Sequence, residues 1–231
     1  QTAVRTSVPV WTLVWAAGLL LCAAFFAVAY WRCGREFWMS LPVEQEFVRQ
    51  WLAAHPLRRK IAIRQSDRIS SPLSFGVLRP VILLPKKTDW TDEEALRYVL
   101  EHEFVHIRRF DSVGKLLLIA AACVHWFNPL VWAMYVLANR DLELSCDEMV
   151  LRRFGGDVRG AYARVLIRME ERRRGVQPLC NYFSKNAMEE RIRAIMKTKK
   201  ITAVSLMLAA VLVAGTVTVF ATSAKQDENI A

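Results

Sequence analysis

Acidic and basic residues are missing from three long stretches of this 231-residue chain: 6–31, 116–139 and 201–224. A bilayer core of about 30 Å takes roughly 20 apolar helical residues, so each run is long enough to cross one. Regular cysteine spacing is also missing. Cys22, Cys33, Cys123, Cys146 and Cys180 are odd in number and scattered, which argues against a disulfide framework and for small buried hydrophobes. Internal repeats, low-complexity tracts and recognised nucleic-acid-binding motifs are absent too. The net charge of +10 therefore reads as cytoplasmic retention and attraction to anionic membrane lipid, with no direct nucleic-acid contact. No initiator Met begins the sequence, as expected of a fragment with earlier segments missing.

The first run, over 8–31, carries Trp11, Trp15, Tyr30 and Trp31 near its ends and reads as a transmembrane helix with interfacial aromatics. A signal peptide fits less well, because the apolar run is long and Ala29-Tyr30-Trp31 is a poor cleavage site. The third run, 201–224, reads as a second transmembrane helix, followed by a short extracellular tail at 225–231. All but two of the 32 basic residues, Arg5 and Lys225, lie within 32–200. The positive-inside rule places that portion in the cytoplasm and both ends outside, as a multi-pass cell-membrane protein.

The middle run is ambiguous by charge, since its two flanks carry equal numbers of basic residues. It also holds His125, Asn128 and Pro129, and proline interrupts a helix. These residues predict a helical hairpin over 113–138, two short helices hinged at Asn128-Pro129. It would pack on the soluble domain or dip into the membrane surface. Elsewhere, patterning predicts an amphipathic helix at 43–54, a strand at 60–65 and two strands within 75–84 around Arg79-Pro80. A capping box of Thr91 and Glu94 opens a helix reaching about Arg109. Further helices are expected at 141–154, 161–174 and 188–200. The fold class is α+β, mostly helical, with a small β-sheet.

Residues 102–106 read His-Glu-Phe-Val-His. Histidines four apart on a helix face one way and can share a metal ion, and the glutamate between them can reach a water on it. One Zn²⁺ per chain is the expected cofactor, with His102 and His106 as ligands and Glu103 as the catalytic base. A third ligand must come from elsewhere. Glu143 is the best placed, on the helix that returns from the hairpin. Asp147, one turn on, can orient a ligand histidine through its other ring N–H. Asp111 is too close in sequence to reach the ion easily as an alternative ligand, and with Arg108 and Arg109 it reads as a solvated or capping cluster, or else as support behind a ligand. Cys146 projects away from the Glu143–Asp147 face and reads as a packed thiol; His55 and His125 read as structural or surface residues. The 75–84 hairpin offers an edge strand to an extended peptide, or simply covers the core.

Taken together, Ser74-Phe-Gly-Val-Leu-Arg-Pro-Val-Ile-Leu-Leu-Pro85, Leu100-Glu-His-Glu-Phe-Val-His-Ile-Arg-Arg-Phe-Asp111, Trp126-Phe-Asn-Pro-Leu-Val-Trp132 and Glu143-Leu-Ser-Cys-Asp-Glu-Met-Val-Leu151 resemble the BlaR/MecR-type antirepressor family of integral-membrane zinc metallopeptidases. The resemblance covers roughly residues 10–222. It implies a gluzincin-like cytoplasmic domain at 32–200 between two transmembrane helices, with zinc on His102, His106 and Glu143 and catalysis by Glu103. It also implies a protein or peptide substrate, self-processing, and removal of a transcriptional repressor after an extracellular sensor meets a β-lactam. Beyond the last run only 225–231 remain, with no penicillin-binding domain, as in a fragment or a differently sensing branch. The loop 175–187 is the expected region of self-processing, and a second copy of the chain is a further candidate partner. A housekeeping processing peptidase and a non-catalytic, zinc-stabilised relay are the competing readings.

Overall fold

The computed structural model describes residues 9–155, 158–173 and 181–197, together with Met207 and Val211. Eleven elements follow one another: α1 (Val10–Trp38), β1 (Leu41–Pro42), α2 (Glu46–Ala54), β2 (Ala62–Ser66), β3 (Leu73–Phe75), β4 (Val81–Pro85), α3 (Glu93–Arg109), α4 (Asp111–Val124), α5 (Pro129–Phe154), α6 (Arg159–Arg173) and α7 (Asn181–Met196). Within α1, Val10–Arg32 is long and apolar enough to cross a membrane, the only such helix among the described residues.

The strands form one mixed sheet in the order β1-β2-β4-β3. Strand β4 is central, parallel to β2 and antiparallel to β3, and all its residues are buried. A continuous apolar run such as Val81-Ile-Leu-Leu84 suits that doubly covered position. The turn between β3 and β4 needs a glycine: Gly76 has φ +89°, and a Cβ there would lie 2.8 Å from the Arg79 carbonyl oxygen.

Helix α3 lies between two cores. On one side, Leu100 and Phe104 pack with Val48 and Trp51 of α2 and with Ile63, Ile82 and Leu84 of the sheet. On the other, Tyr98 and Val105 pack with Cys146 and Val150 of α5, Tyr162 and Leu166 of α6 and Ile195 of α7. Every residue from Leu100 to Ile107 is buried in consequence, Glu101, His102, Glu103 and His106 among them. Buried charges require partners. Glu101 has two: His55 Nε2 at 3.0 Å and Arg153 Nη1 at 2.8 Å. His55, stacked on Trp51 at 4.1 Å, is thus structural.

Several boundaries differ from the sequence expectation. The N-cap of α3 is Asp92, which accepts from Ala95 N at 3.0 Å; Thr91 is instead held by Asp89 through its N–H at 3.0 Å and its hydroxyl at 2.6 Å. The helix expected at 141–154 is the second half of α5, which runs unbroken from Pro129 because nothing between there and Gly155 stops it. Asn128 caps it, accepting from Leu130 N at 2.9 Å. Helix α7 begins at Asn181, so 181–187 of the expected self-processing loop are helical; 175–180 lie outside the described residues, as do the expected second span at 201–224, apart from Met207 and Val211, and the tail at 225–231.

The cap assignment predicts that Asp92→Ala lowers stability by about 1 kcal/mol, read as a lower thermal midpoint in detergent, while Thr91→Ala changes it much less. Equal losses from the two variants would contradict it.

Candidate metal centre

Helices α3 and α5 meet where three donor side chains converge. His102 Nε2 and His106 Nε2 are 3.2 Å apart. Glu143 reaches in from α5, with Oε2 3.5 Å from His102 Nε2 and Oε1 3.6 Å from His106 Nε2. Nitrogen and oxygen ligands about 2.0–2.2 Å from one tetrahedral ion lie roughly 3.3–3.6 Å from each other. The three side chains therefore fit a single zinc-sized ion of tetrahedral preference, with two imidazoles and one carboxylate. Glu103 follows His102 along α3 and is buried.

The outward-facing ring nitrogens are held in turn. His106 Nδ1 lies 2.7 Å from Asp111 Oδ2. The chain reverses sharply at Phe110, in the left-handed region at φ 59°, and this returns buried Asp111 beneath the histidine. The Arg59 guanidinium covers the Phe110 ring at 3.7 Å. His102 Nδ1 lies 2.9 Å from Tyr162 Oη and 3.3 Å from Asp147 Oδ1. Tyr162 donates to Asp147 Oδ1 at 2.7 Å, so its oxygen is free to accept from the imidazole N–H. Arg191 of α7 then grips Asp147 with two bonds, Nε at 2.8 Å and Nη2 at 2.7 Å. Such partners fix ring orientation and leave both Nε2 atoms facing the site.

Charge is strongly coupled here. Burial alone would lower the His106 pKa; hydrogen bonds to Asp111, Cys146 and Glu143 overcome it and raise it to about 11. Burial works the same way on His102, and Tyr162, Asp147, Cys146 and Glu143 reverse it, raising it well above the ordinary imidazole value. Burial would raise Glu143, but the two histidines hold it far below the carboxylate range. Burial would likewise raise Asp147, and Arg191 with His102 keeps it low. Lys115 Nζ at 3.4 Å and Arg191 Nη1 at 3.5 Å add positive charge at Glu143.

Cys146 is fully buried, with Sγ 3.5 Å from His102 Nδ1 and its thiol directed at the His102 carbonyl at 3.3 Å. His102, His106 and Cys146 also form a trio whose ligand atoms lie within 4.8 Å of one another. The thiol sits on the Nδ1 side of His102, already engaged by Tyr162. Glu143 and Cys146 thus both lie within reach of the histidine pair.

The structure thus brings His102, His106, Glu143 and Asp147 together, and buries Glu103 next to His102 in the chain. It moves Asp111 out of the expected solvated cluster and into contact with His106. Arg109 retains part of that cluster, 3.3 Å from Asp111 Oδ1, and donates to Ser145 Oγ at 2.8 Å. His125 is exposed at the end of α4, where its Nδ1 lies 3.2 Å from the Ala121 carbonyl. Tyr162, Arg191 and Lys115 escaped sequence reasoning.

A buried His-Glu-x-x-His helix facing a glutamate on a second helix is compatible with a metallopeptidase-type centre. The chain belongs to the BlaR1 peptidase M56 family, whose model matches residues 1–195, and that membership implies a metal. Among similar proteins are the "Regulatory protein BlaR1" of Bacillus licheniformis, 36% identical over 110 residues covering 48% of this chain and 18% of that protein, and the "Methicillin resistance mecR1 protein" of Staphylococcus aureus, 25% identical over 146 residues covering 61% of this chain and 25% of that protein. The chain thus spans a quarter or less of the curated relatives it matches.

Removing a partner of a ligand histidine typically costs about 10–100-fold in metal affinity. Asp111→Ala, which takes away the close partner of His106, is expected in that range by chelator competition. Tyr162→Phe falls at its lower end, because His102 can still reach Asp147. Unchanged affinity in Asp111→Ala would contradict the orienting role.

Proposed function

We propose that the chain is a membrane-bound zinc endopeptidase that acts on a cytoplasmic protein substrate and controls a transcriptional repressor. The observation that carries this reading is the convergence of His102, His106 and Glu143 on one ion-sized position, on a helix where Glu103 follows His102 and is buried. Zinc bound there would supply Lewis acidity, lowering the pKa of a water and polarising the scissile carbonyl. Glu103 would take the proton of the attacking water and pass it to the leaving amine. Asp111 would hold His106, and the Tyr162–Asp147–Arg191 chain would hold His102, so that neither ring turns during the reaction. The edge strand β3 would receive the substrate in extended form by strand addition.

The antirepressor role rests on the likeness to proteins named for regulation and methicillin resistance. The 32–200 portion would face the cytoplasm, where most of the basic residues lie. The regulatory name of one relative equally suits a relay whose metal only stabilises the fold. Glu103→Gln separates the two. In full-length protein in membranes it should keep its metal, while cleavage of the chain itself and of a co-expressed repressor falls by about 10²–10⁴-fold. Cleavage at the wild-type rate would sink the catalytic assignment.

A further inference from the structure

The α4–α5 hairpin lies along α1, and the contacts fall in order. At the hairpin tip, Trp15 Nε1 donates to the Val124 carbonyl at 3.0 Å, and Trp126 Nε1 donates to the Trp15 carbonyl at 3.2 Å. The Trp126 indole fills the notch at Gly18, where any Cβ would overlap it. Further along, Phe26 stacks on Trp132 at 6.3 Å and meets Tyr135 at 6.1 Å. A segment that follows α1 from Trp15 to Phe26 shares whatever environment surrounds α1.

Two more observations name that environment. The outward faces of the hairpin are apolar, with Leu117 67% and Leu130 76% exposed, as is Leu21 of α1 at 74%. The charge-free arms, 116–124 and 129–139, end at Lys115 and Arg140. They are about 13 Å and 16 Å long at 1.5 Å per residue, enough to enter a core of about 30 Å without crossing it. The turn between them is also closed internally. Trp132 Nε1 donates to the Trp126 carbonyl at 2.8 Å, Trp15 serves Val124, and Asn128 Oδ1 accepts from Leu130 N at 2.9 Å. Irregular backbone persists at membrane depth only where its polar groups are satisfied within the protein.

We propose that the α4–α5 hairpin is a re-entrant membrane element, whose exposed face is covered by lipid acyl chains and whose two arms return to the same side beside α1. This rests on α1 being a span, as the proposed function requires. It adds a constraint on substrate. Glu143 lies one helical turn beyond Arg140, so the metal centre sits at the membrane surface. The peptides it can take are segments held close to the bilayer.

The test uses full-length protein in liposomes, with a nitroxide on a genetically encoded keto amino acid at Leu117, Leu130, Leu21 or Arg152. Collision with lipid-soluble oxygen and with a water-soluble nickel chelate is read for each label. Labels at Leu117 and Leu130 should match Leu21, with oxygen accessibility several-fold above that of the chelate. Arg152, on the exposed surface of α5, should show the reverse. Hairpin labels as open to the chelate as Arg152, with Leu21 still protected, would overturn the proposal and leave the span intact. Hairpin labels shielded from both reagents would also overturn it, placing a second copy of the chain on this face. An aqueous Leu21 would bring down the spanning role of α1 as well.

Discussion

The approach of Glu143 to His102 and His106 is the contact on which the rest of the structure depends. It joins α3 to α5 at their polar faces, in an interface that also holds the Glu101–Arg153 and Arg109–Ser145 contacts. Two buried imidazoles and a half-buried carboxylate need opposite charge or metal, and the surrounding residues are arranged to supply it. Asp111 and the Tyr162–Asp147–Arg191 chain occupy the outer ring nitrogens. Each element from α3 to α7 contributes one or two members: α3 the histidines, α4 Asp111 and Lys115, α5 Glu143 and Asp147, α6 Tyr162, α7 Arg191. The packing of helices and the orientation of ligands are one problem solved by the same side chains.

The sheet performs the complementary task. Buried β4 and the α2 face behind it give α3 an apolar backing. That backing holds α3 against movement away from α5, so the spacing of donors across the interface is set by close packing on both sides. Helix α5 is continuous from Pro129 to Phe154, and it therefore connects the hairpin beside α1 directly to Glu143 and Asp147. Helix α7 ends at Met196, close before the apolar run at 201–224, and holds the site through Arg191. Both ends of the centre are thus tied to segments of membrane-like composition.

Much of this was legible in the sequence, because the informative residues announce themselves locally. Histidines four apart on an apolar-periodic helix fix their own shared face, and the Pro129 interruption makes the chain return beside α3. The hairpin explains why Glu143 reaches the site, and the structure retains that logic while fusing two expected helices into one. Support of His106 by Asp111 was only the lesser of two readings, because the reversal at Phe110 occurs without glycine and no turn residue marks it. Tyr162 and Arg191 were not legible at all. They come from helices distant in sequence, and nothing around them distinguishes a buried partner of Asp147 from an ordinary tyrosine or arginine. The Asp92 cap was displaced by a single position because Asp89 competes for Thr91.

The central claim is that His102, His106 and Glu143 close one metal site, with Cys146 outside it. X-ray absorption of the full-length protein loaded with one zinc per chain tests this most directly. The account predicts a shell of nitrogen and oxygen only, at about 2.0–2.2 Å, with imidazole scattering from two histidines. It also predicts that Glu143→Ala disturbs this shell while Cys146→Ala leaves it unchanged. A sulfur neighbour at about 2.3 Å, lost in Cys146→Ala, would contradict it.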